Sequence, residues 1–401
     1  MRILVISQYF PPDITAAAYR IGDTCKLLKE WGHEVRVVTT TPHKGGVDEA
    51  KIGLLPEEIH RIEVMPLEKR TARAYIEQYL GFVVRAFFAA MRLRRTFDYD
   101  VVWATSPPLF MALCTIPLRL CARRPVVLDI RDLWPESAVN IGKVRRGSLM
   151  ERVGKVLEWA AYRWSDRITC VSQPMRAYIE KRTKRPVSVV YNGAPRSQLG
   201  GATGPTPDPD VFCYAGNLGY AQGLDVMLDA FAIACKSSAM ANARLRLVGT
   251  GAVEGELRTQ AERLGILDRV EFLGVRPKRE ALELMSQSGA LLIPLMDSPA
   301  FALTVPSKVF DYMGLGRPVI ASIRGEGREI LESTGANIVV DPGNPSALAD
   351  AMVRTRTQWQ AMMGRAPANI ALVSDRFSRE SAVEELQRSL QAATQARGGR
   401  T

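Results

Sequence analysis

Arg2-Ile3-Leu4-Val5-Ile6-Ser7, a helically spaced run from Ile21 to Trp31, and Glu34-Val35-Arg36-Val37-Val38-Thr39-Thr40 decide the fold. The first stretch is continuous in leucine and β-branched residues, as a strand buried on both faces requires, and the last alternates apolar with polar. Gly32-His33 closes the helix between them. Strand, helix and strand in so short a span form a parallel β-α-β unit. Outward from it, apolar strands at Asp100–Ala104, Pro125–Ile130, Arg167–Val171 and Val187–Tyr191 alternate with helical stretches, which predicts one parallel α/β domain over residues 1–193. Residues 194–210 are dense in Gly and Pro and read as a linker. Strand-helix alternation restarts at Val211 and predicts a second such domain over 211–378. A terminal helix from about Arg379 and a frayed tail make up 379–401. The class is α/β, with two parallel-sheet domains that bind ligands at their strand carboxyl ends, in a cleft between them.

The composition supports two folded domains. Of 401 residues, 47% are hydrophobic and 24% charged, which excludes a disordered, collagenous or disulfide-stapled chain. The net charge of +11 is lopsided: residues 1–200 hold 32 Lys and Arg against 20 Asp and Glu, whereas residues 201–401 hold 21 against 22. A basic half predicts an anionic partner for that half: nucleic acid, anionic lipid or a polyphosphate. Six scattered cysteines without a C-x-x-C pair read as reduced core residues of a cytoplasmic protein. The run Ile3–Ile6 is too short for a signal-peptide core, and Val101–Leu118, broken by Pro107, Pro108 and Pro117, reads as strand, turn and helix rather than a membrane span.

Chemistry is concentrated in a few stretches. None of the three histidines (His33, His43, His60) stands at a metal-ligand spacing, so neither zinc nor histidine-based nucleophilic catalysis is expected, and no metal site is assigned. Asp98-Tyr99-Asp100 and Asp208-Pro209-Asp210 spell D-x-D but precede a strand and lie in the linker, so both read as structural. No G-x-G-x-x-G follows the first strand, which runs into Gln8-Tyr9-Phe10-Pro11-Pro12, and no nicotinamide or flavin cofactor is indicated. Two strands of the second half end in glycine turns, Gly216-Asn217-Leu218-Gly219 and Gly249-Thr250-Gly251, where backbone N–H groups can approach a phosphate. In Thr304–Val319, Pro306 suits a first helical turn, Ser307 and Lys308 follow with N–H groups that favour an anion, and Asp311 shares a face with Ser307. A packed helix with a solvated lysine would give the same pattern. Asp129-Ile130-Arg131-Asp132-Leu133-Trp134-Pro135-Glu136 places four charges after an apolar strand, of which one Asp–Arg pair reads as structural and the rest as site candidates.

In order along the chain, YFPP, WGHEV, the VSQ and YNG turns, YAGNLG with QGLD, LVGTG and PSKVFDYMGLGRPVIA resemble the retaining nucleotide-sugar glycosyltransferases of family 4, which have the GT-B fold of two facing Rossmann-like domains. DIRDLWPES and PSKVFDYM are similar to the branch that builds capsule, O-antigen and exopolysaccharide repeat units, including N-acetyl-L-fucosamine transferases. The resemblance implies a UDP-sugar donor on the second domain, near Gly216, Asn217, Gly219, Gln222, Gly249, Gly251, Arg276, Val305, Pro306, Ser307, Lys308 and Asp311, with Arg20 also facing its phosphate. It implies a glycan or polyprenyl-diphosphate-linked acceptor against the first domain, near Tyr9, Phe10, Pro11 and Pro12, with Arg131, Asp132, Glu136 and Lys308 in the chemistry. The family's paired glutamates fall here at Leu303 and Asp311, and its basic residues in the first glycine loop at Asn217 and Gln222, which leaves Lys308 as the main cation for the diphosphate. The cationic helix ending at Arg92, Arg94 and Arg95 then reads as a contact with an anionic membrane on the cytoplasmic side, and nucleic acid is not expected. A nucleotide-sugar epimerase of the same fold would carry the same motifs, and a basic nucleic-acid binder would carry the same charge. Sugar transfer to a lipid acceptor distinguishes the first, filter binding at physiological salt the second.

Overall fold

The computed structural model describes residues 1–13, 15–42, 53–64, 72–106, 109–140, 142, 144–201 and 206–398. His43, Pro107, Pro108, residues 202–205 of the expected linker and residues 399–401 lie outside the described residues. The chain divides into two compact units, 1–191 with 379–401, and 192–378.

The first unit is built on a seven-stranded sheet of β1 (Arg2–Ile6), β2 (Glu34–Thr40), β3 (Ile59–Ile62), β4 (Val101–Ser106), β5 (Val126–Ile130), β6 (Arg167–Cys170) and β7 (Val187–Val189). Its spatial order is β3-β2-β1-β4-β5-β6-β7, with every pair parallel. Ile3 stands opposite both Val35 and Val101, so the continuous apolar run of β1 occupies the middle of the sheet. Strand β3, Ile-His-Arg-Ile, is absent from the sequence reading because a short, half-exposed edge strand carries too few apolar residues to mark itself. The accompanying helices are α1 (Ala16–Glu30), α2 (Ala72–Thr96), α3 (Ala112–Cys121), α4 (Glu136–Asn140), α5 (Leu149–Trp164) and α6 (Gln173–Glu180).

The second unit holds six parallel strands, β8 (Asp208–Ala215), β9 (Arg244–Val248), β10 (Val270–Gly274), β11 (Ser288–Pro294), β12 (Val319–Ser322) and β13 (Ile338–Val340), in the order β10-β9-β8-β11-β12-β13. Its helices are α7 (Leu224–Ala234), α8 (Glu254–Arg263), α9 (Lys278–Ser286), α10 (Ser307–Gly314), α11 (Glu326–Glu332), α12 (Pro345–Thr357), α13 (Trp359–Arg365) and α14 (Pro367–Arg376).

Two expectations about boundaries change. Residues 192–201 pack with the second unit rather than run free as a linker: Ala194 N–H donates to Phe377 (3.1 Å) and Gly200 N–H to Gly314 (2.8 Å). The Asp-Pro-Asp stretch opens β8, an interior strand of the sheet, with Asp208 paired to Arg244 and Asp210 to Arg356. The last helix, α15 (Arg379–Gly398), belongs to the first unit, where its stripe of Val383, Leu386, Leu390 and Ala393 joins the core of β1, β4 and α1. An apolar stripe of this length needs a core to bury it, and the first sheet supplies one.

Candidate active site

In the second unit the site forms where β8 ends and α10 begins. Pro306 is the residue before the helix rather than inside its first turn, with extended backbone (φ −58°, ψ 137°), and Ser307 is the first helical residue. Val309, Phe310, Tyr312 and Met313 bury one side of α10, which leaves Ser307, Lys308 and Asp311 half-buried on the other. Tyr312 fixes the helix to the sheet: its hydroxyl accepts from Ala215 N–H (2.9 Å) and donates to Ala215 O (3.1 Å). Lys308 extends across the end of β8, its Nζ donating to the Tyr214 hydroxyl (3.3 Å) and lying 4.8 Å from that ring's centroid. Tyr214 in turn donates to the Asn217 carbonyl (2.8 Å), with Gln222 Oε1 3.3 Å away. The hydrogen-bond partner of this ammonium is a neutral phenol. Burial lowers the Lys308 pKa to about 8, against the opposing pull of Asp311 one turn along the helix.

Tyr214, which holds Lys308, and Tyr312, which anchors α10, are absent from the candidates read from the sequence. A buried tyrosine needs a partner for its hydroxyl. Tyrosines inside VFCYAG and KVFDYM were the available signal.

The glycine turns take a more specific role than phosphate approach. A Cβ on Gly216, whose φ is +148°, would stand 2.6 Å from Lys308 Nζ, so glycine here makes room for the ammonium. A Cβ on Gly249 would meet the Gly216 carbonyl at 2.0 Å, and one on Gly251 the Leu218 carbonyl at 2.1 Å. The two turns pack backbone to backbone, and the N–H groups of Gly216 and Leu218 donate to Val248 and Thr250. Arg276 is exposed in the turn after β10, with Glu280 3.9 Å away. Val305 is buried.

In the first unit, the charges after β5 separate into two layers. Asp129 is fully buried and accepts from both Arg20 nitrogens (2.6 and 3.3 Å) and from Thr169 (2.7 Å). The structural partner of this stretch is therefore Arg20 and not Arg131, and Arg20 is spent on a core ion pair instead of facing a phosphate. Above it, Arg131 is pushed down to about 10 by burial and by the neighbouring Arg20, and its Nε has no hydrogen-bond partner among the described residues. Asp132 is open to solvent on one side, and the protein around it holds its carboxyl above the usual carboxylate range, with Arg131 pulling the other way. Glu136 starts α4, with one buried carboxylate oxygen unpartnered among the described residues. Of the four acceptor-side candidates after β1, only Tyr9 is partly accessible. Phe10, Pro11 and Pro12 are buried, Pro11 by packing on Gly22 of α1, where a Cβ would stand 2.7 Å from its ring.

The remaining candidates are structural or peripheral. Asp98 pairs with Arg2, Arg94 and Arg124, so of the three cationic residues ending α2 only Arg92 and Arg95 are exposed. His33 sits beside the amino terminus, and His60 is exposed on β3. No group of three or more His, Cys, Asp or Glu that could hold a metal ion occurs among the described residues.

Two Rossmann-like units in tandem, each presenting polar side chains where its strands end, are the architecture of a GT-B glycosyltransferase. The chain belongs to glycosyltransferase family 4: the model "Glycosyltransferase Family 4" matches residues 17–198, and "Glycosyl transferases group 1" matches 209–358. Among curated relatives it is 25% identical over 370 residues to "Probable glycosyltransferase WbjE" of Pseudomonas aeruginosa, covering 87% of this chain and 88% of that one. It is also 25% identical to WcaI of Escherichia coli (strain K12), assigned by name to colanic acid biosynthesis, covering 87% and 90%. Anabaena HepE, solved with UDP-glucose, shares the fold at a TM-score of 0.72 and 19% identity, over 98% of this chain and 100% of that one. Sucrose-phosphate synthase from Thermosynechococcus elongatus does so at 0.77 and 18%, with the same coverage. The protein is a glycosyltransferase.

Proposed function

We propose that the protein transfers a sugar, with retention of configuration, from a UDP-sugar to a glycan or polyprenyl-diphosphate-linked acceptor of a bacterial surface polysaccharide. The observation that carries this is Lys308, an incompletely neutralised ammonium held over the Gly216 turn at the start of α10. A diphosphate leaving group develops charge on its terminal phosphate oxygen, and a preplaced cation stabilises that charge most where water is scarce. The N–H groups opening α10 add to it, and Asp311 accepts from the ribose hydroxyls. In the transfer, the bond from the anomeric carbon to the phosphate oxygen breaks while the acceptor oxygen bonds to that carbon on the same face. The acceptor's proton passes to the departing phosphate. Asp132 and Glu136 of the first unit bind sugar or acceptor hydroxyls, beside Arg131 and Tyr9.

UDP and UDP-glucose in the HepE structures favour a uridine donor. No helix among the described residues is long and apolar enough to cross a membrane, so a lipid-linked acceptor would be met by peripheral contact, for which Arg92 and Arg95 are available. The test is incubation with a panel of nucleotide sugars and a polyprenyl-diphosphate sugar, followed by NMR of the product. The reading predicts UDP release and an anomeric configuration equal to the donor's. An inverted product, or epimerisation of the free donor without transfer, would contradict it.

A further inference from the structure

The outer surface of the first unit carries an inverted helix. On α5, Leu149, Val153, Val156 and Trp159 are exposed to 77%, 48%, 62% and 59%, and Met150 to 47%, whereas Glu151 and Glu158 face inward and are buried. Glu158 accepts from the Tyr162 hydroxyl (3.0 Å), and Glu151 accepts from Gly147 N–H and Lys155. An ordinary surface helix hides its apolar stripe and shows its acids. Here the acids are hidden, and the exposed charges of α5 are Arg152, Lys155 and Arg163, all basic.

The feature does not stop at one helix. α3 packs between α5 and α2, and it exposes Leu113 and Leu120, while α2 exposes Val84 and Phe88. Nine of the fourteen exposed large hydrophobic side chains among the described residues therefore lie on three adjacent helices. Exposed apolar side chains clustered in this way mark an interaction surface. The basic rim adds Arg145 and Arg146 before α5 and Arg92 and Arg95 at the end of α2.

We propose that this face, with α5 as its wedge, inserts into the headgroup layer of an anionic bilayer. Apolar side chains ringed by arginine and lysine fit the interfacial mode, in which the apolar side chains enter the acyl boundary and the cations meet anionic headgroups. Charge selects lipid over a second copy of this chain, since two such rims would repel one another. The inner side of α5 adds a functional reason. Gly154 faces the Pro135 ring so closely that a Cβ would stand 2.9 Å from it, and Pro135 belongs to the turn that carries Asp132 and Glu136. The lipid-facing helix thus lies directly behind the residues assigned to the acceptor, as enzymatic access to a lipid-borne acceptor would require. This rests on the peripheral-membrane reading above and names its surface.

The test compares the parent with a variant carrying Leu149→Ser, Val153→Ser, Val156→Ser and Trp159→Ser, by sedimentation with phosphatidylglycerol–phosphatidylcholine vesicles. Circular dichroism and thermal unfolding of each protein check that the first unit is folded, UDP affinity checks the second, and light scattering reports the mass. The expected result is vesicle partitioning lowered by about a hundredfold in the variant with UDP affinity unchanged, since the lost transfer of four apolar side chains is large. Equal sedimentation of parent and variant would overturn α5 as the wedge and leave the peripheral-membrane reading in place. A parent that never sediments at low salt would overturn both. A dimeric parent that becomes monomeric in the variant would also overturn the inference, by making the face an interface between copies.

Discussion

The two units handle charge at their strand ends in opposite ways. In the first, Arg20 and Asp129 neutralise each other in the core, with Thr169 completing the set. In the second, Lys308 rests on a phenol and an aromatic face. A buried pair holds a scaffold in place, because breaking it strands a charge. A cation that still lacks its anion is available for a ligand. The contrast separates what positions the site from what acts in it.

Removing one partner of the first pair gives the largest expected effect. Arg20→Met leaves Asp129 buried and uncompensated and should cost the first unit about 3–5 kcal/mol. Thermal unfolding measures this, and Arg20→Met combined with Asp129→Leu should recover much of the loss. UDP affinity, which belongs to the second unit, should not move in either variant. If it falls as far as stability does, the division of labour between the units fails.

Lys308→Ala tests the other side of the contrast. Turnover should fall by about 10²-fold, the usual cost of losing a charge partner of the transition state, while thermal stability holds. Asp311→Asn is expected to be milder, lowering UDP affinity by about 1–3 kcal/mol in calorimetry. The smallest effect is on pH. The free protein's Lys308 loses its proton as pH rises through about 8, so UDP binding in the parent should weaken by about tenfold per unit above that value, with proton uptake on binding. Lys308→Ala should remove that slope.

The sheets were legible because parallel strands buried on both faces leave long apolar runs: every strand from β4 to β13 was visible in the sequence, and β3 alone was not. Lys308 and Asp311 were legible as a helix start with their spacing. The glycines were visible, but their reasons were not. Gly249 and Gly251 are small because the Gly216 and Leu218 backbones lie against them, a contact between two loops that no local pattern encodes. Arg20 shows the same limit. It reads as a free cation until β5 places Asp129 beside it, 109 residues along the chain. Likewise, α5 has helical spacing in either orientation, and only the packed unit shows that its acids point inward.

On the proposed function, Lys308 meets the diphosphate and no other part of the donor. Calorimetry of the parent and of Lys308→Ala, each with UDP and with uridine, tests it most directly. If Lys308 meets the diphosphate, the substitution weakens UDP binding by about tenfold or more, as loss of a charge-assisted hydrogen bond does, while uridine binding is unchanged. Equal losses for the two ligands, or none for either, would contradict it.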